Sequence, residues 1–163
     1  MRVFALDQAS KITGWSLFEN TTLLRYGIID FGQDKLEEVE WDARILKLKI
    51  EVLKLIKKYK PELFICEDIQ FQQNQKVYKL LAEILGVILN TFNEQEFLYE
   101  KISPSQWKGF CQIKGKARKE QKENTIKFVK EKFGNDVSED EADAIGIGWY
   151  AVNNIVPKIK KKD

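Results

Sequence analysis

Arg2-Val-Phe-Ala-Leu-Asp7 and Leu63-Phe-Ile-Cys-Glu67 decide the fold between them. Each is an unbroken apolar run of strand length, and each ends on a carboxylate. Leu63 to Glu67 shows no polar alternation, which marks a strand covered on both faces, as in a parallel sheet flanked by helices. In such sheets, ligand sites collect at the carboxyl ends of the parallel strands. If the two runs are neighbours, Asp7 and Glu67 stand on strands about 4.8 Å apart. Carboxylates that close repel unless something positive lies between them. Magnesium, which takes oxygen ligands and keeps several waters, suits that position.

Working outward, GWSLFE after Gly14 and TLLRYGIIDF after the polar Asn20-Thr21 break read, with the first run, as three strands in hairpin succession. Residues from about Leu36 to Tyr59 carry Val39, Ile45, Leu46, Leu48, Ile50, Val52, Leu53 and Ile56 among many charges, which predicts an amphipathic helix ending before Pro61. From Lys76 to Asn93, apolar residues recur at three and four, predicting a helix with a broad apolar stripe. FLYEKI predicts a fifth strand, Ser103-Pro104 a short helix or turn, Ala117 to Phe133 a charged helix, and Asp140 to Asn153 a mostly apolar one. Strands alternating with helices after a three-stranded meander predict one α/β domain over residues 1–157 with a partly parallel sheet. Residues 158–163 are expected to form a disordered basic tail.

Composition excludes more than it includes. The 163 residues contain no histidine, which removes Ser-His-Asp and Cys-His hydrolases, histidine-based nucleases and His-ligated zinc enzymes. Catalysis has to rest on carboxylates, lysines, tyrosines or a bound metal. Cys66 and Cys111 are far apart and lack a C-x-x-C partner, so reduced, structural thiols are expected rather than a zinc site or a disulfide framework. No apolar run approaches the roughly 20 residues of a membrane helix, and the N-terminus lacks a secretory pattern. A cytoplasmic protein of a bacterium or an infected host is expected.

Net charge is only +2, but its distribution is uneven. Lys101 to Lys132 holds ten basic residues against three acids, whereas Phe133 to Asp143 holds five acids and no base. A basic surface beside an acidic focus suits a metal-dependent enzyme acting on a polyanion. In SEDEADAIGIG, Asp140 and Asp143 are three apart and project from one helix face; Glu139 with Asp143, four apart, is the competing pair. Acids in a first helical turn are also favoured by the helix dipole alone. The glycines that follow cost roughly 1 kcal/mol each in a helix, which close packing of this helix against the sheet would explain.

Taken in order, LDQASKITGWSLF, FICEDIQF and DEADAIGIG resemble the RuvC-type Holliday junction resolvases of the RNase H-like superfamily, especially the small versions carried by phages. The resemblance runs over nearly the whole chain. It implies an RNase H-like five-stranded mixed sheet with helices on both faces, and Asp7, Glu67, Asp140 and Asp143 as catalytic, metal-binding carboxylates. Two departures stand out. The family often has Pro-Gly after its first aspartate where this chain has Gln8-Ala9, and it tends to place an aromatic three residues beyond the glutamate, where this chain has Gln70. The family's wedge at the junction centre is therefore carried over to Phe71, one step later.

The resemblance further implies two magnesium ions per site, with manganese able to substitute, products with 5′-phosphate and 3′-hydroxyl ends, and a homodimer placing two sites on opposite strands of branched DNA. Lys108, Lys114, Lys116, Arg118 and Lys119 are candidate DNA contacts. Lys119 is nearest the family's expected lysine. The same four acids would serve an RNase H-like nuclease acting on RNA-DNA hybrids, forks or flaps, whereas a branched-DNA binding module without activity would be favoured by a shortage of acids, and none of the expected positions is empty. A kinase-like nucleotide-binding protein would need a glycine-rich phosphate loop, and this chain has none.

Overall fold

The computed structural model describes residues 1–9, 11–30 and 38–161. β1 (Arg2–Asp7), β2 (Ile12–Glu19) and β3 (Thr22–Asp30) form the expected antiparallel meander. Asn20 makes the β2–β3 turn at φ 55°, a left-handed conformation that asparagine tolerates. β4 (Leu63–Glu67) lies parallel to β1, and β5 (Leu98–Ile102) parallel to β4, which gives a five-stranded mixed sheet in the order β3-β2-β1-β4-β5.

Side-chain alternation sorts the strands between two apolar layers. Phe4, Leu6, Trp15, Leu17, Phe64 and Cys66 pack against α1 (Glu38–Tyr59) and α2 (Gln75–Glu94). Val3, Ala5, Phe18, Leu63 and Ile65 face the other way, into a layer with Trp107 of α3 (Pro104–Phe110), Val129 of α4 (Arg118–Phe133) and the apolar side of α5 (Glu139–Asn154). α6 (Val156–Ile159) follows. Helices thus cover both faces, and β4 is buried on each. The same period of two carries Asp7 and Glu67 to the α5 face, in step with Ala5 and Ile65.

Several boundaries differ from the sequence reading. β2 begins at Ile12, two residues ahead of the stretch GWSLFE, so that Ile12 and Thr13 belong to the strand as well. Phe97 stays outside β5 because its ring stacks on Phe64, with centroids 4.7 Å apart. Asn74 caps α2, its Oδ1 accepting the Val77 N–H at 3.2 Å, which starts that helix at Gln75. The chain stays helical through Ile159, inside the segment expected to be disordered, because Ile155 and Val156 are buried. Phe31 and Leu36 lie outside the described residues, as do residues 162 and 163 of the tail.

Cys66 and Cys111 are buried and free, and burial pushes both thiols up to about 12. Among the described residues, no helix is long and apolar enough to cross a membrane.

Candidate active site

The β1–β4 ladder ends at the pair Leu6 and Cys66, so Asp7 and Glu67 emerge side by side at the carboxyl ends of two parallel strands. The first turn of α5 meets them there. Its acids divide their work. Glu141 completes a capping box, accepting the Ser138 N–H at 2.8 Å while Ser138 Oγ accepts the Glu141 N–H at 3.3 Å. Glu139 pairs with Lys122 of α4. Asp140 and Asp143 are left to line one cleft of about 460 Å³ with Asp7 and Glu67. Of the competing pairs in the sequence, Asp140 with Asp143 faces the cleft, and Glu139 does not line it.

Close backbone approach fixes α5 over the strands. A Cβ on Gly14 would fall 1.9 Å from the Asp140 carbonyl oxygen, so only glycine fits at that strand position. One turn further along, Ser16 Oγ donates to the Ala144 carbonyl at 2.7 Å.

The four carboxyls hold their protons more tightly than free ones. Burial and the charges of Glu67, Asp143 and Asp140 push Asp7 well above the usual carboxylate range, against the pull of Lys122. Asp143 rises to about 6, chiefly through burial, with Lys108 and Lys122 opposing. Glu67 rises through burial, with the Trp107 hydrogen bond opposing, and Asp140 rises through burial, with Lys122 opposing. Such a cluster binds either protons or cations. Its donors are all oxygens, which fits a hard divalent ion such as magnesium. Among the described residues, no group of three or more acidic, cysteine or histidine side chains is placed closely enough to hold a metal ion as the chain stands.

Lys108, Arg118 and Lys122 line the same cleft. Lys108 and Arg118 were legible as candidates, and Lys122 was not. Lys114, Lys116 and Lys119 are exposed and do not line it. They sit on and beside a loop held by α4: Gln121 Nε2 donates to the Gly115 carbonyl at 2.9 Å, and Asn124 Nδ2 to that of Lys114 at 2.7 Å. Gly115 has φ 136°, which favours glycine. Phe71 is 82% exposed, with Tyr78 the ring nearest it, at 6.1 Å between centroids. Gln70 and Gln72, on either side of it, line the cleft.

The model of the family described as "Crossover junction endodeoxyribonuclease RuvC" matches residues 3–150. The chain belongs to the RuvC family. Two bacterial relatives bear the same description: one from Caldicellulosiruptor saccharolyticus is 26% identical over 148 residues, covering 90% of this chain and 89% of its own. The other, from Fusobacterium nucleatum, is 27% identical over 160 residues, covering 98% and 84%. Thermus thermophilus RuvC, solved in complex with a Holliday junction substrate, superposes with a TM-score of 0.73 at 18% identity, over 92% of each chain. The fold is therefore that of RuvC, within the RNase H-like class.

Besides Lys122, the sequence reading missed three other contributors. Gln8, taken as a departure from the RuvC pattern, bonds the backbone of Glu67. Trp107 donates to the Glu67 carboxylate, and Thr125, whose hydroxyl donates to the Gln121 carbonyl at 2.8 Å, favours the charged form of Asp143 against the larger effect of burial. Nothing in the charged periodicity of α4 singled out Lys122 and Thr125. They share the face of α4 marked by buried Val129, at helical spacings of three and four.

Proposed function

We propose that this chain is a magnesium-dependent, structure-selective endodeoxyribonuclease that cuts four-way junctions and related branched DNA. The observation that carries the reading is the convergence of four carboxylates from β1, β4 and α5 on one cleft rimmed by three cations. Membership of a family described as crossover junction endodeoxyribonucleases supports it.

Asp7, Glu67, Asp140 and Asp143 would hold two magnesium ions, or manganese in their place. The bound metal would help ionise the attacking water and stabilise the leaving oxygen. The rest falls to the chain. Its strand ends and the first turns of α5 fix the carboxylates against their own repulsion. Lys108, Arg118 and Lys122 neutralise the phosphate being cut. The exposed Lys114, Lys116 and Lys119 bind neighbouring phosphates, an interaction that weakens with salt. Phe71 stands beside the cleft, free to stack on an unpaired base.

Two symmetric cuts need two sites, so the working form is a homodimer acting in the cytoplasm. Residues 1–157 form the nuclease domain, and the remaining residues add a basic tail. The test is to incubate the protein with labelled four-way, three-way, forked and linear duplexes and an RNA-DNA hybrid. Binding is expected with both calcium and magnesium, and cutting with magnesium alone, fastest on the four-way junction. Asp7→Asn should bind without cutting. Cutting that survives that change removes the proposed site, and preference for the hybrid or a fork moves the substrate elsewhere within RNase H-like chemistry.

A further inference from the structure

Glu67 is gripped at both its backbone and its side chain. The β1–β4 ladder stops at Leu6 and Cys66, one residue short of two carboxylates whose repulsion opposes further pairing. Gln8, only 7% exposed, continues the ladder with its side chain. Its Oε1 accepts the Glu67 N–H at 3.2 Å, and its Nε2 donates to the Glu67 carbonyl. Toward the opposite edge, the Asp68 N–H donates to the Ile102 carbonyl at 2.7 Å. The backbone carrying Glu67 is thereby tied to both neighbouring strands.

The side chain is held by Trp107, which is fully buried and donates its Nε1–H to Glu67 Oε1 at 2.7 Å. A buried indole needs an acceptor, and a carboxylate is a strong one. The ring has little freedom to turn away. Gly146 of α5 lies so close that a Cβ there would fall 2.7 Å from Trp107 Cζ3. Thus the helix that supplies Asp140 and Asp143 also presses on the ring that orients the carboxylate of β4.

We propose that Trp107 is a positioning residue: its indole N–H pins one oxygen of Glu67, keeping the carboxylate in the cleft against the repulsion of its neighbours. Metal binding then finds the donor already oriented, with no rotamer search and no retreat of Glu67 toward solvent. The kinetic consequence rests on the nuclease reading. The hydrogen bond itself does not.

Two measurements separate these. Trp107→Phe keeps a ring beside Gly146 and removes the donor. Single-turnover cutting of a four-way junction in magnesium should slow by about 10- to 100-fold, while junction binding in calcium stays unchanged. The second needs neither DNA nor metal. In the 1H–15N spectrum of the whole protein, the indole resonance assigned to Trp107 through the ring's contact with Gly146 should move upfield in Glu67→Gln, because a neutral amide accepts more weakly. The indoles of Trp15, Trp41 and Trp149 should hold still. A folded Trp107→Phe that cuts at the wild-type rate, or an indole resonance indifferent to Glu67→Gln, overturns the proposal. If the wild type cuts no branched DNA, the nuclease reading fails instead, and the spectrum alone decides whether Trp107 holds Glu67.

Discussion

On one face of the sheet, α5 lies so near the strands that Gly14 and Gly148 leave no room for a methyl group, whereas on the other, α1 and α2 leave Leu46 exposed along a groove of about 590 Å³. Both faces bury the same sheet. The close face also fixes a helix whose first turns carry two of the four carboxylates, and like charges stay together only where the backbone cannot yield. The open face carries none of the four, and large side chains such as Phe4, Trp15, Trp41, Phe64 and Phe92 fill it. Tight packing is placed where the four carboxylates converge.

The largest effect is expected where the close face is forced open. Gly14→Ala would set a methyl group 1.9 Å from the Asp140 carbonyl oxygen, and backbone on both sides leaves no flexible group to move. A loss of about 3 kcal/mol or more in a denaturant titration is expected, with magnesium-dependent cutting lost alongside. A variant as stable and active as the wild type would mean that α5 does not need this approach.

Next comes the cost of the carboxylates themselves. Asp143 titrates near 6 in the folded chain against 3.8 ordinarily, and Asp7 lies well above its usual value. The folded chain therefore binds protons more tightly than the unfolded one. Below about pH 3 both states are protonated and the penalty is absent. As pH rises toward 6 and beyond, the unfolded state loses its protons first, and this cluster's contribution to stability falls, by on the order of 3 kcal/mol for Asp143. Melting temperatures of metal-free wild type and Asp143→Asn between pH 4 and 8 should diverge in the variant's favour, and magnesium should restore the wild type. Parallel curves would show that the cluster carries no such strain.

A smaller change sharpens the comparison from within the close face. A Cβ on Gly148 would fall 2.7 Å from Phe18 Cε2 and Ser16 Oγ, both side-chain atoms that can shift. Gly148→Ala should cost about 1 to 2 kcal/mol, less than Gly14→Ala, by thermal or denaturant melting. The smallest effect belongs to the open face. Leu46, 58% exposed, should tolerate Leu46→Gln within about 0.5 kcal/mol. Equal costs on both faces would erase the distinction.

Much of this was legible in the chain. β1 and β4 follow from two apolar runs, and their terminal acids foretold which ends of the strands matter. The glycines after Asp143 signalled a close approach, which Gly146 makes to Trp107 and Gly148 to Phe18. What escaped was direction. α4 is charged nearly all round, so its periodicity does not say which lysine faces inward; only Thr125 and Val129 are buried on it, and they turn Arg118 and Lys122 to the cleft rather than Lys119. Trp107 sits in a helix of seven residues, too short for a pattern. Gln8 looked like a lost turn motif because its role is a hydrogen bond to a residue 59 positions away.

The most direct test of the central claim is a calorimetric titration of manganese into the metal-free wild type and into Asp7→Asn, Glu67→Gln and Asp143→Asn, without DNA. If acids from β1, β4 and α5 serve one site, each neutralisation alone should weaken binding by about tenfold or more, at least as much as loss of a group that only supports a ligand. Full-strength manganese binding in any of the three would contradict a shared site.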